Sequence, residues 1–571
     1  MKNILANDPS PYLQQHKNNP VHWQTWNKES LKQAKIEKKP ILLSIGYSSC
    51  HWCHVMAHES FEDKKTAELM NNHFINIKVD REERPDIDFI FQSSYQLFNN
   101  SGGGWPLTIF LDENAVPFMA GTYFPKEPKH GLPSFANVLK QVSETYQKQR
   151  NTILNQKELI KKHLDIKKNS VVKQDLEPIL EVVLNNLDQE NGGYKGAPKF
   201  PTFNVFETLI YFYNKTKKEK FLKPVEILLN KICSQGIYDH VEGGISRYTV
   251  DEKWLVPHFE KMLYDNVQFI SLMSKFLKVK PNEYLIKKVK QTAFFLDNSF
   301  VNSKNGLLGS AFDADSDGEE GKYYVYKYEE IKNIKNINKF FVVNQSGNWE
   351  GKIILQEVST PPDEIIQELK KIRSKKNKPF FDNKTQLDLN SLWVSSLINL
   401  HQVFKNDNYL VLAEKYFKRI ENCFTKDELF HSYSKEIVFL EDYAFFIKCL
   451  IDLHEATLKV EYKLKARELS DKCIEKFYVR SKKIFQKNPI ETNDLFIAPI
   501  DISDHTIPNG NSIMLNNLSR LGYLEIGKEL SESLNGYLNI FKNHMLSSLK
   551  SIDIFNQTNS GIKCTEDGCD L

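Results

Sequence analysis

The sequence predicts two domains of different class, an α/β domain over residues 1–165 and an all-α domain over residues 166–571. In the first domain, short apolar runs of strand length alternate with helical patterns. In the second, helical periodicity dominates, with elements separated by loops rich in Gly, Pro, Asn and Asp. A polar, lysine-rich stretch from Lys157 to Asp175 marks the boundary, and 571 residues are enough for at least two domains of about 150 residues or more.

Composition narrows the range of partners and compartments. The 76 Lys and Arg residues nearly balance the 73 Asp and Glu residues, so no nucleic-acid partner is expected. No stretch approaches about 18 uninterrupted apolar residues, which argues against a membrane span. The first residues lack an apolar signal segment and only eight cysteines are present, so we expect a cytoplasmic protein. In a reducing compartment, a close cysteine pair is more often redox-active or metal-binding than structural.

The predicted elements of the first domain follow the order α-β-α-β-α-β-β-α. They are a helix over 29–38, a strand over 41–46, a helix from Cys50 to about Asn72, a strand over 75–79, a helix over 86–98, strands over 107–111 and 117–121, and a helix near 134–153. A buried strand that leads into a helix opening with C-x-x-C is the thioredoxin arrangement. The pattern therefore predicts a thioredoxin-like domain.

The motif Cys50-His51-Trp52-Cys53 is the main candidate for chemistry. Cys50 would stand at a helix N-terminus, where unpaired N–H groups and the helix dipole stabilise a thiolate and lower its pKa. Cys53, one turn later, would resolve a mixed disulfide. His51 and Trp52 form the neighbourhood of this pair, and His51 could further stabilise the thiolate.

Three other interpretations of this motif stay open. Cys50-x-x-Cys53-His54 matches the c-type haem attachment motif, although that use requires a secreted chain. His54 and His58 lie four residues apart on one helix face beside the two thiols, a pattern that suits zinc. The two cysteines could also be buried core thiols. The strand–motif–helix context favours thiol–disulfide chemistry.

Trp105-Pro106, at the entrance to a predicted strand, is the second redox signal. Thioredoxin folds place a cis proline beside the C-x-x-C motif, where the neighbouring backbone can pair with a substrate chain. The three glycines before it resemble a phosphate-binding loop but lack the G-K-[ST] that such a loop requires.

In the second domain, six polar, motif-like loops run straight into apolar helical segments. They begin at Lys199, Val256, Phe312, Leu389, Leu440 and Pro508. Each interval accommodates one helical pair with its loops, so the pattern predicts an (α/α)6 six-hairpin toroid in which alternate helices line the inside. A β-rich insertion is predicted near 320–355.

If the inner helices share a direction, their N-terminal loops meet at one end and gather acids, histidine and aromatic residues in one pocket. The candidates for this pocket are Arg247, Trp254, His258, Glu260, Asp265, Asp313, Asp315, Glu441, Asp442, His505 and Asn511. Taken singly, each has a simpler explanation: Asp442 could be a helix cap and His258 a core histidine. Asp313-x-Asp315-x-Asp317 mimics the start of a calcium loop, but position twelve is Tyr324 rather than Glu. We expect no metal and no cofactor.

Several long motifs resemble one known family. They are SPYLQQHKNNPVHWQTW, SIGYSSCHWCHVM, FINIKVDREERPDID, GGWPLTIFLDENAVPFMAGTYFP, GGYKGAPKFP, GGISRYTVDEKWLVPHFEKMLYDN, SAFDADSDGEEGKYYVY and LEDYAF. The chain is similar over nearly its whole length to the spermatogenesis-associated protein 20 family. The resemblance implies a thioredoxin-like domain followed by a six-hairpin, glycosidase- or epimerase-like barrel. The terminal pair Cys564 and Cys569 also resembles the end of that family.

The preferred hypothesis is a thiol–disulfide oxidoreductase in which Cys50 is the nucleophile and Cys53 resolves. Its partner would be a protein thiol or disulfide. The alternative is a carbohydrate-active isomerase, epimerase or hydrolase acting on a small carbohydrate-like ligand, with the thioredoxin domain as an accessory. A third possibility is a non-catalytic binding protein.

Overall fold

The structure is a computed structural model that describes residues 1–129, 131–165, 167–168, 176–425, 428–433 and 435–559. The described chain is largely helical and contains a small mixed sheet. It forms two compact units. Unit 1 consists of Met1–Lys167, Ser434–Phe439 and Gln486–Ile500, and unit 2 consists of Lys168–Tyr433, Leu440–Phe485 and Asp501–Leu571. Cys564 and Cys569 lie outside the described residues.

The regular elements of the first 165 residues confirm the predicted order. The helices are α1 (Pro11–Gln15), α2 (Lys28–Glu37), α3 (His51–Met56), α4 (Lys64–His73), α5 (Pro85–Asn99), α6 (Phe135–Leu154) and α7 (Lys157–Leu164), and the strands are β1 (Ile41–Gly46), β2 (Ile75–Asp80), β3 (Leu107–Leu111) and β4 (Pro117–Gly121). The helix predicted from Cys50 to Asn72 is instead divided by a π-helical turn over Ala57–Phe61. Asp63 then caps α4 by accepting from the Thr66 N–H, which starts a new helix.

The four strands of unit 1 form one sheet in the order β2-β1-β3-β4. β1 is parallel to β2 and antiparallel to β3, and all six of its residues are buried. The core around this sheet includes Phe496, from the 486–500 segment. Arg84 binds both Asp86 and Asp494 at 2.8 Å, which ties the same segment to the start of α5.

Unit 2 is built from fifteen described helices and nine two-residue strands. The helices are α8 (Glu177–Asn186), α9 (Phe203–Thr216), α10 (Glu219–Ser234), α11 (Leu263–Val279), α12 (Glu283–Ser299), α13 (Tyr328–Ile331), α14 (Ile337–Phe340), α15 (Asp363–Arg373), α16 (Leu387–Phe404), α17 (Asp407–Phe424), α18 (Leu440–Thr457), α19 (Val460–Phe477), α20 (Gly510–Leu521), α21 (Leu524–Phe541) and α22 (Leu546–Asn559). The strands are β5 (Tyr248–Thr249), β6 (Pro257–His258), β7 (Lys261–Met262), β8 (Ala311–Phe312), β9 (Asp315–Ser316), β10 (Glu319–Glu320), β11 (Phe381–Asp382), β12 (Tyr478–Val479) and β13 (Ile484–Phe485). Among the described residues, no helix has both the length and the apolar character needed to cross a membrane.

Six helices of unit 2 contact one another in a closed cycle. α9 packs on α11, α11 on α16, α16 on α18, α18 on α20, α20 on α22, and α22 again on α9. We call these six helices the ring. The first five ring helices are each followed, after two or three residues, by a helix that packs against them, as expected for antiparallel helical hairpins. Each of these five ring helices therefore begins a helical hairpin.

Five of the six predicted loops lead into ring helices, and the sixth prediction is wrong. The loop from Phe312 to Asp315 does not precede a ring helix but connects the short strands β8 and β9. The missing ring helix is α22, which begins at Leu546. Its start carries no Gly, Pro or acidic motif of the kind found before the other ring helices, so the sequence pattern does not predict it.

The segment between α12 and α16 differs from the predicted strand-rich insertion. Lys322 to Tyr324 form a turn after Gly321, whose φ of +71° suits glycine, and Tyr326 makes only an isolated bridge with Ile353. Two one-turn helices and isolated bridges follow. The segment nevertheless has a core of its own, which includes Tyr326, Phe341 and Ile353. A hydrophobic core can form from segments without regular secondary structure when their apolar side chains pack against one another.

Candidate functional site

The Cys50–Cys53 pair lies at the start of α3, directly after β1 and a short turn. Cys50 is the N-cap residue, and its Sγ accepts a hydrogen bond from the Cys53 N–H at 3.2 Å. The two sulfurs form a disulfide. Cys50 is 3% and Cys53 1% exposed, so both sulfurs are nearly shielded from water. A thiolate on Cys50 would stand where the first turn of α3 leaves its N–H groups unpaired.

Aromatic side chains surround this motif. Trp52 is 47% exposed, and its ring lies 5.2 Å from that of Tyr123. Trp105, whose peptide bond to Pro106 is cis, packs edge-on against Tyr47 and donates its indole N–H to Asp88 at 2.8 Å. The ring of His51 lies 5.7 Å from that of Trp52. Trp52 is therefore the exposed aromatic residue of the motif, whereas the Tyr47 ring is buried.

The metal and haem interpretations of the motif find no further support in this geometry. The two cysteines bind each other, and the exposed His58 pairs with Glu62 at 3.0 Å. Among the described residues, donor atoms close enough to share an ion occur elsewhere, in unit 2.

The first polar cluster of unit 2 lies just before α11. Arg247 donates to Glu260 at 3.0 Å, His258 Nε2 lies 3.8 Å from the same carboxylate, and His258 Nδ1 lies 2.5 Å from Glu320. Burial lowers the pKa of His258, but the hydrogen bond to Glu320 and the charges of Glu260 and Glu320 outweigh burial, so this pKa is raised above its ordinary value. The ring of Tyr248 covers that of His258 at 5.0 Å.

The second polar cluster, which we call the acid–histidine trio, consists of Asp388, His431 and Asp442. Asp388 lies in the first turn of α16 and Asp442 in the first turn of α18. His431 Nδ1 donates to Asp442 at 2.8 Å, and all three residues are buried. Burial, reinforced by the charge of Asp442 and opposed by that of His431, raises the pKa of Asp388 to about 7.

One ligand atom from each member of the trio lies within 4.8 Å of the others, so these residues could hold a metal ion. A carboxylate, an imidazole and a second carboxylate suit several divalent ions. The same set can also move protons, because Asp388 titrates near neutrality and His431 is oriented by Asp442. The geometry is compatible with both uses.

The structure brings some of the remaining predicted residues close to these clusters. Asp315 pairs with Glu320 in the β9–β10 hairpin, and its N–H donates to the carboxylate of Asp313, which lies just before the hairpin, at 3.1 Å. Asp265 lies in the first turn of α11 and Glu441 in the first turn of α18. Asp265, Asp313 and Glu441 are each more than nine-tenths buried, and a buried charge acts strongly on neighbouring groups.

Three predicted pocket residues have contacts typical of structural roles. Trp254 is fully buried and donates its indole N–H to the Asn191 carbonyl at 2.8 Å. Asn511 is also fully buried, and its amide bonds both the N–H and the carbonyl of Phe485. His505 pairs with Asp501 at 3.2 Å in the loop before α20, and its side chain is 55% exposed.

Sequence reasoning did not single out Glu320, Asp388 or His431. Asp388 lies one residue before the predicted helix start at Leu389, so treating the helix as beginning at residue 387 would have brought it to the first turn. Glu320 lies in the two-residue strand β10 and His431 in an irregular segment, and both become prominent only because the fold sets them against His258 and Asp442. No periodic signal marks either residue.

Known proteins resemble the chain at two levels. The Thioredox_DsbH family model, described as "Protein of unknown function, DUF255", matches residues 2–165. In solved structures, cellobiose 2-epimerase from Bacillus thermoamylovorans is 14% identical with a TM-score of 0.41 over 68% of this chain and 88% of its own. A D-mannose isomerase is 11% identical with a TM-score of 0.44 over 68% and 98%. These scores are too low to transfer a property to this chain.

Sequence relatives give a firmer result. An uncharacterized protein from Caenorhabditis elegans, B0495.5, is 31% identical over 94% of this chain and 82% of its own length. Human spermatogenesis-associated protein 20 is 31% identical over 91% of this chain and 76% of its own, and the mouse protein is 29% identical over 91% and 75%. The chain therefore belongs to the spermatogenesis-associated protein 20 family.

Proposed function

We propose that unit 1 is a thioredoxin-like domain that performs thiol–disulfide exchange with a protein substrate, with Cys50 as the attacking sulfur and Cys53 as the resolving one. The single observation that carries this proposal is the place of Cys50 at the N-cap of α3 with Cys53 within disulfide distance. Unpaired N–H groups stabilise a thiolate at the N-cap and favour its attack on a disulfide.

Exchange proceeds in two balanced steps. The Cys50 thiolate attacks one sulfur of the substrate disulfide, and the other substrate sulfur leaves as a thiolate. Cys53, once deprotonated, then attacks Cys50 Sγ, which releases the second substrate sulfur as a thiolate and leaves the Cys50–Cys53 disulfide. The substrate is reduced by two electrons and the protein pair is oxidised by two. The exposed indole of Trp52 offers an apolar contact for the substrate chain.

A Cys53→Ser trap tests this proposal. The variant should retain a mixed disulfide on Cys50 after incubation with cell lysate, because the resolving sulfur is gone. Recurrent protein partners, released by dithiothreitol and identified by mass spectrometry, are the expected result. The matched control is Cys50→Ser, which keeps Cys53 and should trap nothing. Equal capture by the two variants would contradict the assignment of roles.

A second function, acid–base chemistry on a small carbohydrate-like ligand in unit 2, has support at least equal to that of the first. The observation that favours it is the acid–histidine trio at the starts of two neighbouring ring helices. A carboxyl whose pKa is about 7, beside a histidine held by a second carboxylate, pairs an acid with a base at neutral pH. Hydroxylated ligands suit such a polar, buried site, and proton transfer at carbon or oxygen would serve an isomerase, an epimerase or a hydrolase.

A panel of mono- and disaccharides tests the second function. A sugar that raises the Tm of the wild type should lose this effect in Asp388→Asn, whereas Asp407→Asn, at an exposed position beyond α16, should keep it. A shift with conversion of the sugar supports an enzyme, and a shift without conversion makes unit 2 a binding domain. No shift with any sugar would contradict the carbohydrate assignment.

A further inference from the structure

Two buried polar side chains near Cys53, those of Tyr12 and Lys78, have no role in the exchange proposed above. Tyr12 lies in α1 and is fully buried. Lys78 lies in β2 and is 1% exposed. Lys78 therefore belongs to the strand parallel to β1, and Tyr12 to a helix that packs on that strand. β1 ends at Gly46, immediately before the turn that leads to the motif.

Gly46 defines how near the Tyr12 hydroxyl is to Cys53. A Cβ at Gly46 would lie 2.3 Å from Tyr12 Oη and 2.8 Å from Cys53 Sγ, so these two atoms are separated by no more than the sum of those distances. A real Cβ would collide with both. The absence of a side chain at Gly46 therefore lets the hydroxyl and the sulfur share one small space.

The Tyr12 hydroxyl has no hydrogen-bond partner among the described residues. A buried hydroxyl without a partner is costly, and such groups are uncommon in native structures. Burial, and after it the charge of Asp80, raises the pKa of Tyr12 above its ordinary value, so the hydroxyl keeps its proton and is available as a donor. A sulfur that becomes charged beside it would provide the acceptor.

Lys78 places its amino group over the face of the Tyr12 ring. Its Nζ lies over the rings of Tyr12, Trp23 and Phe61 at 5.0, 4.9 and 4.6 Å, and it donates to Ser44 Oγ at 3.1 Å. Burial lowers the pKa of Lys78 well below its ordinary value. An anion that forms nearby opposes this effect and favours the protonated ammonium, which the aromatic faces then hold.

We propose that Tyr12 donates a hydrogen bond to the Cys53 thiolate whenever the Cys50–Cys53 disulfide opens, with Lys78 stabilising the same charge from behind the Tyr12 ring. This inference rests on the proposed thiol–disulfide exchange. It assigns separate sources of stabilisation to the two sulfurs, the helix N-terminus for Cys50 and a side-chain donor for Cys53. Water cannot serve Cys53, because that residue is 1% exposed.

The opening step is balanced with a dithiol as reductant. One thiolate of the dithiol attacks Cys50 Sγ, the Cys50–Cys53 bond breaks, and its electron pair remains on Cys53 as a thiolate. The second thiolate of the dithiol then attacks its partner sulfur in the mixed disulfide, forms the cyclic disulfide of the reductant and releases Cys50 as a thiolate. The dithiol loses two electrons and the protein pair gains them. Charge develops on Cys53 in the first step, where Tyr12 would act.

The test compares the rate at which dithiothreitol opens the disulfide in the full-length wild type and in Tyr12→Phe. We expect the variant to be slower by about tenfold, the effect of one lost hydrogen bond to a charged group. In a Cys53→Ser background, by contrast, Tyr12→Phe should leave the rate of attack of Cys50 on oxidised glutathione unchanged. A general structural disturbance would slow both reactions. Tyr146→Phe, another buried tyrosine of unit 1, whose hydroxyl binds Glu113, is the matched control and should leave both rates unchanged.

Lys78→Met keeps the inference testable if Tyr12→Phe does not fold, because methionine retains the apolar stem and removes the charge. It should also slow disulfide opening. If the pair in wild type does not cycle with dithiothreitol and glutathione at all, the proposed exchange and this inference are both overturned. If it cycles and opens equally fast in Tyr12→Phe and Lys78→Met, only the present inference is overturned.

Discussion

The candidate site of unit 1 and that of unit 2 are assembled in opposite ways. In unit 1 the two sulfurs of the disulfide lie three residues apart on one helical turn, and the backbone of that turn supplies the local electrostatics. In unit 2 His258 meets Glu320, 62 residues away, and Asp388 joins His431 and Asp442 from a different ring helix. A site whose residues are adjacent in sequence can be recognised from a motif. A site whose residues are distant in sequence forms only when the helices of the ring have packed together. We therefore expect the two sites to respond differently to mutation and to pH.

The largest expected effect tests whether unit 1, unlike its Cys50–Cys53 motif, depends on a segment that is distant in sequence. Phe496 is 9% exposed in the core of unit 1, although it comes from the distant 486–500 segment. Phe496→Ala should lower the free energy of unfolding by about 3–5 kcal/mol, because it removes a buried ring and leaves a cavity. Urea unfolding followed by tryptophan fluorescence measures the loss.

The control for this prediction is Ile490→Ala in the same segment, since Ile490 is 48% exposed. It should cost about 1 kcal/mol or less. Equal effects of the two substitutions would mean that the segment is not part of the core, and unit 1 would then be a continuous domain.

The next effect concerns the pH response of unit 2. The pKa of Asp388 is about 7 in the folded protein and about 4 in an unfolded chain. Between these values the folded state holds a proton that the unfolded state has released, so the stability of the wild type falls as pH rises through this window. In Asp388→Asn the side chain at this position does not titrate. The free energy of unfolding of the variant should therefore rise relative to that of the wild type by roughly 2–4 kcal/mol between pH 4 and pH 8.

Thermal unfolding at pH 5 and pH 8 measures the relative gain, which should amount to roughly 2–5 °C in Tm. Asp407→Asn changes an aspartate whose side chain is 89% exposed and should show no such dependence. If Asp388→Asn follows the wild type at both pH values, the trio is not a site of raised pKa, and its proposed acid–base role loses its basis.

A smaller effect concerns the difference between the two sulfurs of unit 1. In the reduced protein Cys50 should react with iodoacetamide about 10–100 times faster than Cys53, because only Cys50 stands at the helix N-terminus. Mass spectrometry after timed labelling gives both rates. Cys233, whose pKa burial raises to about 12, should be the slowest of the three and provides an internal reference. Equal labelling of Cys50 and Cys53 would contradict a locally activated thiol.

The smallest effect tests whether the two sites are independent. The raised pKa of His258 means that its pairing with Glu320 and Glu260 stabilises the fold below the ordinary histidine pKa, and that this contribution is lost as pH rises through the folded value. His258→Ala should therefore cost more stability at pH 5.5 than at pH 8.5, by up to about 1 kcal/mol. Thermal unfolding at the two pH values measures the difference.

The same variant provides the check on unit 1. His258→Ala should leave the alkylation rate of Cys50 unchanged, because the helix N-terminus that activates Cys50 does not involve His258. A parallel loss of Cys50 reactivity would show that His258 supports the fold as a whole rather than one site.

Much of the fold could be predicted because its signals are local. The strand over 41–46, the strands over 107–111 and 117–121, and five of the six ring-helix starts follow from apolar periodicity and from turn residues within a few positions. The Cys50–Cys53 pair was predicted for the same reason, since its spacing alone places both sulfurs on one turn. The residues Tyr326, Phe341 and Ile353 carry no such period, and the segment that contains them was predicted less well.

The sequence by itself determined the class of each half, the position of the Cys50–Cys53 motif and most of the helices that line the ring. Only the tertiary structure decided that Phe496 joins the core of unit 1 and that α22 closes the ring. It also decided that Glu320 and His431 meet His258 and Asp442, and that the Tyr12 hydroxyl and the Cys53 sulfur both lie beside Gly46. The physical reason is the range of the forces involved. Helix dipoles, caps and apolar periodicity act over a few residues of chain, whereas burial and the pairing of charges depend on which distant segments share a low-dielectric interior.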